Sequence, residues 1–453
     1  MLSDFCGNTV SLDNPDAVQS WDRMQRAFLA HGARTADHLA KALDLAPGFA
    51  MGHAVKGLFM LMLGRRELAG VAVDALATAN QCVVGGGATD RERAYLAALE
   101  AWIAGRPSMA VAAMERIVAT HPCDALAVKI DHAIRFILGD GIGMRRAIDR
   151  ALPGFNDHPA RGYILGCQAF ALEETGDYAA AERTGHAALA LAPDDAWGLH
   201  AVAHVHDMTG RAADGLRWFA GREVAWAHCN NFRYHVWWHK ALMHLDLGQT
   251  DAVLALYDGQ IRCDRTDDYR DISNAASLLC RLELDGVDVG NRWEELAALA
   301  QNRTEDGSLI FADLHYLLAL IGGDRGDART ALIGRIRRDA AVADTEMTQR
   351  MARPGLAAAA GLDAFGDGNY AAAYTHLRAA RPAMQLAGGS HAQRDVFERL
   401  TIDAAFRGGF HSDAKALLGE RRQKRGGYED GYCAARMALI ARQEERETRH
   451  ASL

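Results

Sequence analysis

No apolar run in the chain reaches the roughly 18 residues that a membrane-spanning helix needs. Prolines number only nine in 453 residues, and alternating β-branched stretches are almost absent, which argues against a sheet protein. There is no surplus of basic charge: 50 Lys and Arg against 58 Asp and Glu leave a net charge of −8. Binders of nucleic acid or anionic membrane are built on basic surface, so neither partner is expected. None of the eight cysteines forms a C-x-x-C pair, which leaves out a zinc ribbon and a disulfide frame and suits a reducing compartment. The opening residues, Met1-Leu2-Ser3-Asp4-Phe5-Cys6, carry neither the basic nor the apolar segment of a secretory signal. The expected location is therefore cytoplasmic.

What recurs is an amphipathic segment rich in Ala, Leu and Met, then a glycine, then a second such segment. The marker glycines are Gly64, Gly105, Gly139, Gly176, Gly210, Gly248, Gly286, Gly326, Gly368 and Gly409, spaced 34 to 42 residues apart. The clearest copies read Gly176-Asp177-Tyr178-Ala179-Ala180-Ala181 and Gly368-Asn369-Tyr370-Ala371-Ala372-Ala373, and second segments end in Ala-Leu-x-Leu-Ala-Pro at Ala188–Pro193 and Ala42–Pro47. That period, with Gly at the inter-helix turn and Pro after the second helix, is the tetratricopeptide signature. The fold expected is all-α: a single α-α solenoid domain over residues 1–453 with about ten helical hairpins by marker count. Its N-terminal repeats are irregular, its C-terminal end at 442–450 is charged, and it could curl into a closed or strongly curved superhelix. Interruptions are expected at Val83–Asp90, Gly139–Gly143 and Arg422–Gly431. Gly139-x-Gly141-x-Gly143 lacks the preceding strand and the Gly-Lys-Ser/Thr of a phosphate loop, so nucleotide binding is not expected from it.

Seven of the 19 histidines lie between positions 200 and 244, and five of the eight tryptophans lie between 197 and 238. His200 with His204, and His235 with His239, are i,i+4 pairs, which stack on one face of a helix. The pairs are 35 residues apart, about one repeat, so their helices would be neighbours. Two such pairs facing each other would offer four imidazoles to one metal ion. Counted from the turn glycines the pairs are out of register by three residues, roughly 60° short of a full helical turn. His206 and His244 are the pair in register. Trp237 and Trp238 point different ways, so at least one belongs to the core.

Two later motifs could feed the same cavity. Phe311-Ala312-Asp313-Leu314-His315 sets a carboxylate and an imidazole at the start of a helix, as a ligand and its partner or an acid/base pair. In Gly388-Gly389-Ser390-His391-Ala392-Gln393-Arg394-Asp395, Ser390 and Gln393 form a capping box. That leaves His391, Arg394 and Asp395 within one turn, suited to an anionic group. Together with His200-Ala-Val-Ala-His204, Met208-Thr209-Gly210-Arg211 and His235-Val-Trp237-Trp238-His239, these motifs make the chain resemble the tetratricopeptide repeat protein 38 family over most of its length. The resemblance implies a helical-repeat fold and a soluble protein, and it brings no settled activity with it. Where the family tends to differ after His204, this chain has His206-Asp207.

Taken together the motifs predict an enzyme with a divalent transition metal, Zn or Fe first, on His200, His204, His235 and His239. Asp313, His315, His391 and Asp395 are the candidate catalytic groups. Arg394 and Trp238 would bind a small polar or anionic substrate, and metal-assisted hydrolysis is the expected reaction. The alternative is a scaffold that holds a partner peptide in the concave groove of the solenoid.

Overall fold

The computed structural model describes residues 1–451, most of them in α-helices. The one sheet among the described residues is a two-stranded antiparallel ribbon, Leu2–Ser3 against Thr9–Val10. The helices pair as hairpins, for example Arg161–Glu174 with Tyr178–Leu191 and Leu356–Gly366 with Tyr370–Ala380. Of the charged end at 442–450, the backbone belongs to the last helix, Gly431–Ala451, while side chains from 447 onward lie outside the described residues.

Nine of the ten marker glycines adopt positive φ, where a left-handed residue ends the first helix of a hairpin. The tenth departs from the expected pattern. Gly326 opens the helix Gly326–Val342, and the left-handed position belongs to Asp324, with φ +53°. Aspartate tolerates this conformation better than most side chains, which is why a glycine count places that turn two residues late. At Val83–Asp90 the helix Arg66–Gly86 ends and Thr89 caps the next with a capping box to Glu92. Gly141 and Gly143 lie in the first turn of a helix capped by Asp140, which is not a phosphate loop.

The solenoid coils tightly enough that successive turns touch. Arg65 pairs with Asp267 at 3.2 Å, and the Glu346 amide donates to the Gly105 carbonyl at 3.0 Å. Further along, Gln385 Nε2 donates to the Gly139 carbonyl at 2.9 Å, Arg425 meets Asp207 at 3.1 Å, and the Gly431 amide donates to Asp246 at 2.9 Å. The hydrogen-bonded pairs among these join residues from 185 to 246 positions apart. One superhelical turn therefore takes about five or six hairpins, and its inner face is covered by the next turn. A single apolar cluster accordingly runs from Val10 to Ile440.

Gly139 measures this contact. It sits at φ +69°, and a Cβ there would stand 1.9 Å from the Gln385 carbonyl oxygen. Gly176 has φ +84° with open space around it. Replacing either by Ala costs left-handed strain of about 1–2 kcal/mol. Gly139→Ala must also push the next turn away, so its unfolding midpoint in urea should fall clearly below that of Gly176→Ala. Equal midpoints would mean that the turn-to-turn contact contributes nothing.

Candidate metal centre

Four consecutive inner helices build the centre: Arg161–Glu174, Ala196–Met208, Phe232–Asp246 and Tyr269–Leu284. Asp195 caps the second of these by accepting from the Gly198 amide at 3.1 Å. Gly166 lets the first helix lie against that cap, since a Cβ there would meet Asp195 Oδ2 at 1.9 Å. Between the second and third helices the repeat is irregular. The outer helix Ala212–Phe219 is only eight residues long, and the short helix Val224–Ala227 follows it. This connection stands between the two helices that carry the histidine pairs, and the offset of roughly 60° expected from the glycine count does not keep the pairs apart.

The two histidine pairs face each other. His204 Nε2 lies 2.8 Å from His200 Nε2, which lies 3.0 Å from His235 Nε2, which lies 3.1 Å from His239 Nε2. One ring nitrogen from each of the four falls within 4.8 Å of all the others, and all four residues are buried. A tetrahedron with metal–nitrogen bonds of about 2.0–2.1 Å has edges of about 3.3–3.4 Å, so the four nitrogens are spaced for one ion.

The far sides of the rings decide which nitrogen faces inward. His235 Nδ1 lies 3.1 Å from Asn274 Oδ1, an oxygen that also accepts from Gln393 Nε2 at 3.4 Å. His204 Nδ1 lies 3.4 Å from the Glu173 carboxylate. An acceptor behind each ring favours the tautomer with its proton on Nδ1 and the Nε2 lone pair towards the centre, the usual support of a metal-bound imidazole. Burial, with the neighbouring imidazoles, holds His200 and His239 well below the usual histidine range, and burial brings His235 to about 3. Neutral rings are the form that ligates.

The motif at 388–395 reaches this centre from the next turn. His391 Nε2 lies 3.4 Å from the other oxygen of Glu173, and the His391 amide donates to Glu174 at 2.8 Å. Arg394 meets Glu174 at 3.4 Å and donates to the Gly388 and Gly389 carbonyls. Burial alone would lower His391, but the Glu174 and Glu173 carboxylates hold it up at about 9. Glu173 is held down at about 2, against its burial, by His391 and His204. Gln393 braces Asn274, so this one capping segment supports the backs of both histidine pairs.

The other expected residues stand elsewhere. Asp313 is buried in an ion pair with Arg335 at 2.5 Å. His315 Nδ1 lies 2.7 Å from the Phe311 carbonyl, and the ring packs on Phe397. Asp395 takes Arg399 at 2.7 Å and Arg421 at 2.8 Å. Trp238 is fully buried and stacks on His235 at 5.3 Å, with the Arg281 guanidinium 5.6 Å from the centre of its ring. His206 packs near Trp218, and His244 contacts Gln249. Glu173, Glu174 and Asn274, which the sequence did not single out, are the groups that connect the motifs. Beside the centre lies a cavity of about 1030 Å³ whose lining includes His235, Phe232, Trp197 and Gln393.

No protein-family model matches the chain. The resemblance to the tetratricopeptide repeat protein 38 family therefore rests on the motifs themselves. Among solved structures, the human IFIT1 dimer with PPP-AAAA is similar at 14% identity, over 96% of this chain and 96% of that one, with a TM-score of 0.40. The human IFIT1 dimer with m7Gppp-AAAA is similar at 15% identity over 89% and 95%, with a TM-score of 0.37. Likeness this low says nothing of shared ligands or chemistry.

His391 gives the centre's surroundings a pH signature. Its pKa of about 9 in the fold lies above its ordinary value of 6.5. The stability it contributes is thus fully present below about pH 6.5 and is lost as pH rises through about 9. Urea unfolding of the wild type should weaken across that window, and His391→Gln should flatten the slope. A slope unchanged in the variant would show that His391 is not charged in the fold.

Proposed function

We propose that this chain is a metal-binding helical-repeat protein. In this reading a closed four-imidazole centre ties adjacent inner helices together beside a ligand-binding cavity. The observation that carries it is the meeting of four buried Nε2 atoms, with the Glu173 carboxylate 3.4 Å behind His204 and the Asn274 oxygen 3.1 Å behind His235. Mainly imidazole ligands in a tetrahedral array suit Zn, with Fe, Ni or Cu as the other candidates. When bound, the ion supplies a fixed positive charge and a link between the helices Ala196–Met208 and Phe232–Asp246.

Four protein ligands fill a tetrahedral ion, whereas hydrolytic centres keep one position for water or substrate. That favours binding over the hydrolysis expected from the motifs, and it makes the cavity the place where a partner or small molecule would be held. A hydrolytic role would require one imidazole to leave. His235, the one ligand that lines the cavity, is the candidate.

The test is metal content by mass spectrometry on full-length protein purified without a histidine tag. About one Zn or Fe per chain is expected, and none in His204→Ala/His239→Ala. A second expectation concerns Glu173→Gln, which keeps the shape but weakens the brace on His204. It should lower metal affinity roughly 10- to 100-fold with the fold intact by circular dichroism. Absence of metal in the wild type, before and after reloading with Zn²⁺ or Fe²⁺, would overturn the proposal.

A further inference from the structure

One part of the cavity wall gathers a buried ammonium whose one hydrogen-bond acceptor is a thiol sulfur and two imidazoles with unpartnered ring nitrogens. Lys129, on the helix Ala125–Leu138, is 3% exposed. Its Nζ contacts the Cys167 sulfur at 3.7 Å and stands 5.0 Å from the centre of the Trp197 ring. Among the described residues it makes no ion pair. Asp195, the buried acid that feels its charge, is engaged at Oδ2 in capping the Ala196–Met208 helix. His132 is buried with both ring nitrogens unpartnered, and His31 Nε2 is buried without a partner. Both imidazoles pack on the same Trp197, at 5.7 and 5.3 Å. All four residues line the cavity. A buried ammonium held only by a weakly accepting sulfur is costly, and with unpartnered imidazole nitrogens on the same cavity it marks a place for an acceptor from outside.

The remaining charged groups around the cavity are engaged or lie at its exposed mouth. Arg270 is paired with Asp268, and Asp271 accepts from Asn231 at 2.7 Å and from Thr266. Asp44 is exposed and Lys56 half-exposed. Much of the wall is apolar, formed by residues such as Leu39, Leu43, Phe59, Met60, Leu63 and Phe311. At about 1030 Å³ the cavity is large enough for a ligand of many carbons.

We propose that this cavity binds an amphipathic monoanion, a long-chain carboxylate, with its head on Lys129, His132 and His31 and its tail along the apolar wall. The head would lie against Lys129, His132 and His31, and of the four imidazoles of the centre His235 alone lines the cavity. The inference thus goes beyond the metal reading and does not depend on it.

The test is isothermal titration of the full chain with dodecanoate and with dodecanol, which has the same tail and no charge. The wild type should bind dodecanoate about 10- to 100-fold more tightly than dodecanol, the value of a charge-assisted contact. Lys129→Met, which keeps the buried stem, should bring dodecanoate down to the level of dodecanol. Metal content measured on the same samples should be unchanged by Lys129→Met, so that failure of one proposal is distinguished from failure of the other. Equal binding of the two probes by the wild type would overturn the anionic head, even if the variant failed to fold. Wild-type affinity for dodecanoate in a folded Lys129→Met would do the same. Absence of binding by the wild type to either probe would overturn the site itself.

Discussion

The pressing of one superhelical turn onto the next sets the character of the interior. In an open solenoid the inner helices can keep polar side chains wet on the concave face. Here that face is covered, and each polar group on it must find a partner or stay uncompensated at a cost of several kcal/mol per charge. The result is a set of cross-turn links between residues far apart in sequence. The His391 amide donates to Glu174 at 2.8 Å, and Arg425 meets Asp207 at 3.1 Å. The helices are ordinary amphipathic ones, and the coil makes their inner faces buried.

The four histidines feel the same constraint most sharply. Hydrogen bonding between two imidazole nitrogens needs one proton and one lone pair. Glu173 and Asn274, acceptors behind His204 and His235, favour the tautomers with the proton on the far side of each ring, so that two lone pairs face the centre. His200 and His239 can each turn a proton inward, but their Nδ1 atoms are then buried lone pairs without a donor. A cation at the centre accepts all four lone pairs and turns a crowded polar void into a bonded cluster.

Much of the fold was legible because it is written locally. The glycine period reports helix ends, and it failed only at Gly326, where an aspartate took over the left-handed turn at 324. The two i,i+4 histidine pairs were legible for the same reason, since helix geometry alone puts each pair on one face. Their convergence was not legible, because the glycine count sets the pairs out of register across the irregular connection between Phe219 and Phe232. Glu173 and Glu174 were not legible either. They occupy the end of a plain repeat helix, and their meeting with His391 and Arg394 across more than 200 residues depends on the superhelical pitch, which no local pattern states. Lys129 stands in an unremarkable amphipathic stretch, and only the packed interior shows that it is buried against a thiol and an indole with no ion pair among the described residues.

The order of the residues along the chain has a consequence for how the protein is made. All four imidazoles and Glu173 lie within one contiguous stretch from 173 to 239, whereas His391 and Gln393 follow about 150 residues later. At a synthesis rate of about 5–20 residues per second, a nascent chain would carry the complete ligand set outside the ribosome for roughly 8 to 30 seconds before its final support emerges. During that interval the imidazoles are open to the surrounding solution from the side that the last turn will cover. Loading is therefore easiest on the half-made protein. On the proposed metal reading, closure of the last turn would act as a kinetic latch, and the ion in the finished molecule would record which metal was available during translation.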